Sequence, residues 1–172
     1  MAATTYFVLF LHEALNASVV TAGALFVVVN IAAMVARIGW GLLSDRRFQG
    51  KRRPVLFIII ALTVCSTFCA AVVPSHTPLW LVAALSVLFG ISAFAWTGIL
   101  GTLVIEIAGP QSAGSAISLV QVLAAPATLL APPLFGLLAD VSGTYHASWL
   151  VLTLIGAVGL ITVRWVQEAE PA

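Results

Sequence analysis

The sequence predicts an all-α integral membrane protein with five full transmembrane helices and one partial helix. Hydrophobic residues make up 62% of the 172 residues and charged residues only 8%, whereas soluble domains carry about 25% charged residues. The ranges 14–36, 54–105, 107–139 and 141–163 contain no Asp, Glu, Lys or Arg. Because a spanning helix needs about 20 mostly apolar residues, each range can cross a bilayer, and 54–105 has room for two helices.

Turn-forming residues divide the apolar sequence into individual helices. The first segment has no basic start and its apolar stretch is short, so we predict neither a signal peptide nor a full span there. We treat the chain as one transmembrane domain. The predicted spans are 2–11 (partial), 18–44, 54–73, 79–105, 112–138 and 147–166.

Basic residues are concentrated in one connector. Five of the seven Lys and Arg residues lie within 45–53, and Arg164 follows four crossings later, on the same side. The connectors on the opposite side, 12–17, 74–78 and 139–146, contain no Lys or Arg. Because cytoplasmic loops are enriched in these residues, we predict that loop 45–53 and the C-terminus face the cytoplasm in a multi-pass protein of the cell (inner or plasma) membrane.

Several function classes are disfavoured by composition and motif. A net charge of +1 argues against nucleic-acid binding, which requires a basic face. The sequence has no HExxH, no GxSxG and no intramembrane pair of Asp residues, so we expect no enzyme activity. Cys65 and Cys69 lie within an apolar helix, where thiols pack as small hydrophobes. We therefore predict no metal site and no cofactor.

A short motif recurs with inverted orientation. Residues 41–45 (GLLSD) end one predicted helix, and residues 136–140 (GLLAD) end another, three spans later. The odd number of crossings turns the second unit upside down relative to the first. Inverted repeats of three helices are typical of secondary transporters.

The loop motif resembles a known signature. Residues 37–46 (RIGWGLLSDR), followed by 50–53 (GKRR), are similar to the signature loop of the major facilitator superfamily, with about two extra residues before the second glycine. Residues 106–114 (EIAGPQSAG) and 132–140 (PPLFGLLAD) resemble further stretches of that family. The resemblance implies a permease, and it identifies the chain as the C-terminal six-helix half, helices seven to twelve, with helix seven truncated.

The same resemblance implies partners and a gate. Family transporters have two six-helix halves, so either the chain is a fragment, or it pairs with a separate N-terminal half or a second copy. The alternative is a truncated membrane protein or scaffold that pairs with another half and transports nothing.

The family's cytoplasmic latch would comprise Asp45 and neighbouring residues, with Arg52 or Arg53 paired to Glu106. The gate and signature residues are Gly41, Asp45, Arg46, Arg52, Arg53 and Glu106.

Polar residues within spans are candidates for a substrate path. Asn30 and Arg37 share one helical face, and Gln121 belongs to a stripe of small and polar residues in the fifth full span. Polar groups within a span are costly and normally face a cavity or a partner, although helix packing remains the alternative for each. For Arg37 a further alternative is that its long side chain extends to the cytoplasmic interface about two turns away. Trp96 and Thr97 lie in the helix that, by resemblance, borders the path. Arg37 would be the counter-charge for an anionic solute such as an organic acid, and any proton carrier would lie in the other half.

Overall fold

The computed structural model describes residues 2–15, 17–74 and 76–166, and every regular element among them is an α-helix. Five stretches are long and apolar enough to cross a membrane. Together with the short first helix, they confirm the prediction of an all-α half-bundle with five full spans and one partial span. The described residues form seven helices because one of the full spans, Leu79–Ala108, consists of two. The helices are α1 (Ala2–Glu13), α2 (Val19–Arg47), α3 (Arg53–Val72), α4 (Leu79–Ile91), α5 (Trp96–Ala108), α6 (Ala113–Ser142) and α7 (Tyr145–Val163).

Contacts between helix ends show how the spans alternate in direction. Arg52, just before α3, forms an ion pair with Glu106 in the last turn of α5. At the opposite end of the bundle, the Tyr145 hydroxyl at the start of α7 donates to a Glu13 carboxylate oxygen at the end of α1, at 2.5 Å. Successive spans therefore run up and down. We call the end that carries residues 48–52 the loop end.

Two predicted connectors begin later than the sequence suggested. Asp45 and Asp140 lie in the last turns of α2 and α6, rather than in the loops that follow. The Phe48 amide bonds to the Ser44 carbonyl and prolongs α2, and α6 ends only at Gly143, which has a φ of 68°. Both acidic groups are thereby fixed on helices. The predicted cytoplasmic C-terminus lies outside the described residues.

Aromatic rings join four helices at the end opposite the loop end. Trp149 of α7 is fully buried, and its ring centroid lies 5.2 Å from that of Phe10, 5.4 Å from that of Phe89 and 5.2 Å from that of Phe135. Phe7 packs against Phe89 at 5.1 Å. Such tilted and edge-on pairs add to the stabilisation from burial, so the short α1 is anchored firmly to α4, α6 and α7.

The fourth span is broken, although the sequence predicts one continuous helix over 79–105. Residues 92–95 form turns between α4 and α5, and this segment contains neither proline nor glycine. Just before the break, α4 approaches α2 so closely that a Cβ on Gly90 would lie 2.5 Å from the Val29 carbonyl oxygen and 2.6 Å from the Ala32 Cβ. The lack of a side chain at Gly90 therefore permits the contact between α2 and α4.

One side of the bundle is open. Every residue from 118 to 130 in α6 is exposed, and α2 exposes Asn30, Ile31, Met34, Arg37 and Ile38. By contrast, α3 packs extensively on α7. The predicted path residues Asn30, Arg37 and Gln121 all lie on exposed parts of α2 and α6.

Candidate functional site

The chain after α2 folds back tightly onto the helix end. The Gly50 amide donates to the Ser44 carbonyl at 3.0 Å, and the fully buried Ser44 hydroxyl donates to the Lys51 carbonyl at 2.9 Å. Gln49 and Gly50 have positive φ angles of 55° and 81°, a conformation that glycine adopts without strain. This reversal brings Arg52 next to the last turn of α2.

Arg52 joins two carboxylates from different helices. Its Nη1 lies 2.6 Å from Asp45 Oδ1, its Nη2 lies 2.9 Å from Glu106 Oε1, and its Nε also donates to Glu106 Oε1 at 3.1 Å. The Arg52 side chain is only 13% exposed, while those of Asp45 and Glu106 are 58% and 46% exposed. The hydrogen bonds to Glu106 raise the pKa of Arg52 above its usual value. Arg52 thus ties the end of α2 to the end of α5.

Arg53 has a different role from its neighbour. Its Nε donates to the Val163 carbonyl at 3.0 Å, and its Nη2 donates to the Arg164 carbonyl. These carbonyls lie at the C-terminal end of α7, where backbone acceptors have no partner within the helix. Arg52 and Arg53 were both proposed as partners for Glu106. In the structure Arg52 forms this ion pair, whereas Arg53 joins the start of α3 to the end of α7.

The other two gate candidates lie apart from this ion cluster. Arg46 is exposed in the last turn of α2. A Cβ on Gly41 would meet no atom within 4 Å, so nothing in the described part of the chain requires glycine at that position.

A shallow groove between α5 and α6 brings together three predicted path residues. Trp96 and Thr97 in the first turn of α5 face Gln121 of α6 across a space of about 140 Å³. Trp96 is 41% exposed. The groove therefore offers one indole wall, one hydroxyl and one amide within an apolar surface. The remaining lining residues are Leu100, Gly101, Val104, Ile117, Val120 and Ala124.

Arg37 borders the same turn of α5. Its Nη2 donates to the Phe94 carbonyl at 3.0 Å, and a Cβ on Gly98 would lie 3.9 Å from Arg37 Cγ. The guanidinium therefore lies beside the segment that leads into Trp96 and Thr97. The bond to the Phe94 carbonyl uses one of the five guanidinium N–H groups, so the side chain keeps donors for a further acceptor.

Asn30 is not part of this arrangement. Its amide donates to the Phe26 carbonyl one turn earlier in the same helix, at 2.8 Å. It lies two turns from Arg37, about 10 Å along the helix axis, and it does not line the groove. The structure thus brings three of the five predicted path residues around one groove. Arg37 does not line this groove, but it contacts the Phe94 carbonyl just before Trp96.

Trp40 is a residue that the sequence alone did not assign to this region. The sequence favours an interfacial role for it, because it lies near a predicted helix end. In the structure its indole Nε1 donates to the Ile91 carbonyl at 2.7 Å, directly before the break in the fourth span. The one available signal was its spacing, since Trp40 follows Arg37 by three residues and shares its helix face.

Comparison with known proteins agrees with this architecture. Monocarboxylate transporter 12 of Xenopus laevis is 30% identical over 130 residues, which cover 76% of this chain and 28% of that protein. Monocarboxylate transporter 1 of Rattus norvegicus is 31% identical over 148 residues, covering 81% of this chain and 29% of that protein. Monocarboxylate transporter 13 of Rattus norvegicus is 30% identical over 168 residues, which cover 93% of this chain and 38% of that protein.

The chain therefore spans between 28% and 38% of the length of these three relatives. The family model for the Major Facilitator Superfamily matches residues 1–172, the whole of the sequence. With the six-span helical half-bundle, this match supports the resemblance first seen in the loop motif. The chain belongs to the Major Facilitator Superfamily.

Proposed function

We propose that the chain forms the C-terminal half of a permease that moves a small organic anion by alternating access. The observation that carries this proposal is the position of Arg37. Within the described helices it is the only Asp, Glu, Lys or Arg more than one turn from a helix end. A charge placed inside a span is costly and usually serves a solute or a partner charge.

The chemistry of the region favours a solute with a single carboxylate. Arg37 provides one positive charge, and the groove beside it is mostly apolar except for Trp96, Thr97 and Gln121. A guanidinium binds a carboxylate through paired hydrogen bonds, while the indole face can cover an apolar substituent. The names of the similar monocarboxylate transporters agree with this solute class.

Uptake into vesicles tests the proposal. The protein is expressed from its full reading frame and reconstituted, and labelled L-lactate serves as the probe. We expect saturable uptake that unlabelled monocarboxylates inhibit. Uptake no faster than in protein-free vesicles would contradict transport. We assign any proton coupling to the other half. If a proton gradient leaves the uptake rate unchanged, transport is not proton-coupled.

A second candidate function follows from the open side of the bundle. A scaffold that binds a separate N-terminal half without transporting would also use the exposed face over 118–130. In either case we propose that this face packs against the other half. Co-purification of the two halves with no solute uptake would favour the scaffold.

We further propose that Arg52 and its two carboxylates form the gate at the loop end. The three side chains tie the ends of α2 and α5 together, and these helices also carry Arg37 and Trp96. Partial exposure of Asp45 and Glu106 leaves them able to exchange partners as the halves rock. The positive-inside rule supports a cytoplasmic position for this gate, because five of the seven basic residues lie in the loop beside it.

Replacing Arg52 tests the gate. We expect Arg52→Gln to destabilise the protein by about 1 to 2 kcal/mol, a modest loss because the carboxylates are half exposed and screened by water. We also expect a thiol probe to react faster from the loop side with a cysteine placed at Thr97. Arg47→Gln, on an exposed residue of α2, is the matched control. Equal reactivity and equal melting temperature in both variants would exclude the gate.

A further inference from the structure

The break in the fourth span takes several backbone carbonyls out of the helical pattern, among them those of Ile91 and Phe94. In a continuous helix the Ala95 amide would donate to the Ile91 carbonyl, but here it donates to the Ser92 carbonyl at 3.0 Å. The Phe94 carbonyl precedes Ala95, the N-cap of α5, and lies outside that helix. An unsatisfied carbonyl within a bilayer costs several kcal/mol, so both acceptors need donors from elsewhere.

Helix α2 supplies both donors. Trp40 Nε1 donates to the Ile91 carbonyl at 2.7 Å, and Arg37 Nη2 donates to the Phe94 carbonyl at 3.0 Å. The two side chains lie three residues apart on one helix face. Of the two acceptors, Ile91 lies directly before the turns and Phe94 lies within them. We call these two hydrogen bonds the α2 clamp.

The two donors differ in burial. The indole of Trp40 is partly buried and packs against the apolar cluster around Val55 and Ile99. Arg37 is exposed, and the Phe94 carbonyl uses one of its five N–H groups. The packed donor, Trp40, is therefore suited to hold the break, and the break presents a carbonyl that orients the exposed donor, Arg37. Trp96 and Thr97 follow within three residues.

We propose that Trp40 is a positioning residue for the anion site. Through the Ile91 carbonyl it maintains the break in the fourth span, and the break in turn sets the direction of the Arg37 guanidinium and the placement of Trp96 and Thr97 along the groove. Trp40 itself touches no solute. The role of Arg37 here rests on the proposed anion transport, whereas the clamp itself does not.

Hydrogen exchange of the backbone tests the clamp without any solute. Trp40→Phe keeps an aromatic ring and removes the donor, and we expect the amides of residues 92–96 to exchange about tenfold faster. Trp149→Phe is the matched control, because the Trp149 indole is fully buried and its Nε1 has no hydrogen-bond partner among the described residues. Exchange at 92–96 that is unchanged or slower in Trp40→Phe, or equally faster in both variants, would overturn the proposal.

A second variant covers the case in which Trp40→Phe does not accumulate. In Trp40→His the imidazole Nε2 takes the place of the indole nitrogen and restores the donor. We expect Trp40→His to protect residues 92–96 better than Trp40→Phe, or to accumulate where Trp40→Phe does not. Identical behaviour of the two variants would show that the ring, not its N–H group, matters, and would refute the clamp.

Transport kinetics separate this inference from the proposed function. In Trp40→Phe we expect the KM for L-lactate to rise about tenfold while kcat changes less than twofold, because a misdirected guanidinium weakens solute binding. Faster exchange with an unchanged KM would overturn the positioning role and leave anion transport standing. Faster exchange in a protein that transports no monocarboxylate would support the clamp and reject the transport function.

Discussion

Replacing Arg37 with methionine is expected to lower kcat/KM for L-lactate about 100-fold or more. Methionine fills similar space but provides no charge, so the solute carboxylate would enter an apolar region without a partner. Leaving such a charge unpaired costs about 3 to 5 kcal/mol when it is buried, and each 1.4 kcal/mol is a factor of about ten in rate. Arg37→Lys retains the charge without the planar fork, so we expect about a tenfold loss.

Arg47→Met is the control for Arg37→Met. Arg47 lies in the same helix but is exposed in its last turn, so its removal should leave kcat/KM within twofold of the wild type. The melting temperature of each variant shows whether loss of the bond to the Phe94 carbonyl impairs folding. If Arg37→Met folds normally and transports as fast as Arg47→Met, Arg37 is not the counter-charge.

The largest expected effect on folding is that of Gly90→Ala. The added methyl group would lie 2.5 Å from the Val29 carbonyl oxygen and 3.2 Å from the Ala33 amide nitrogen. Both are backbone atoms of a packed helix, so α4 must move away from α2. We expect a net loss of about 2 kcal/mol, after about 1 kcal/mol gained from the better helix propensity of alanine.

Gly101→Ala is the matched control for this substitution. A Cβ on Gly101 meets no atom within 4 Å, so this variant should keep the propensity gain and be at least as stable as the wild type. Unfolding in a denaturing detergent measures the difference, which we expect to be about 3 kcal/mol between the two variants. Equal stability would show that the close contact between α2 and α4 is not needed.

The number of full spans could be predicted from the sequence because apolar stretches of about 20 residues mark membrane-spanning helices. The position of Arg37 within a span also follows from the hydropathy pattern, because a single charge between apolar residues is evident in the sequence. Gln121 was proposed from helical spacing, and Trp96 and Thr97 from the family resemblance of their helix; all three line one groove in the structure.

Features that depend on packing between distant helices could not be predicted in the same way. The break at 92–95 contains no proline or glycine, and its freed carbonyls are satisfied by Arg37 and Trp40, more than 50 residues earlier in the chain. The choice of Arg52 over Arg53 as the partner of Glu106 depends on the backbone reversal at Gln49 and Gly50. Adjacent basic residues look equivalent until the direction of the loop is known.

Paired flux measurements test whether this protein carries a carboxylate past Arg37. Vesicles that contain the reconstituted protein are supplied with labelled L-lactate or with labelled lactamide, its neutral amide, and the protein-free rate is subtracted from each. Because the guanidinium selects for negative charge, we expect lactate to enter at least about tenfold faster than lactamide. Equal protein-dependent rates for the two solutes would contradict this expectation.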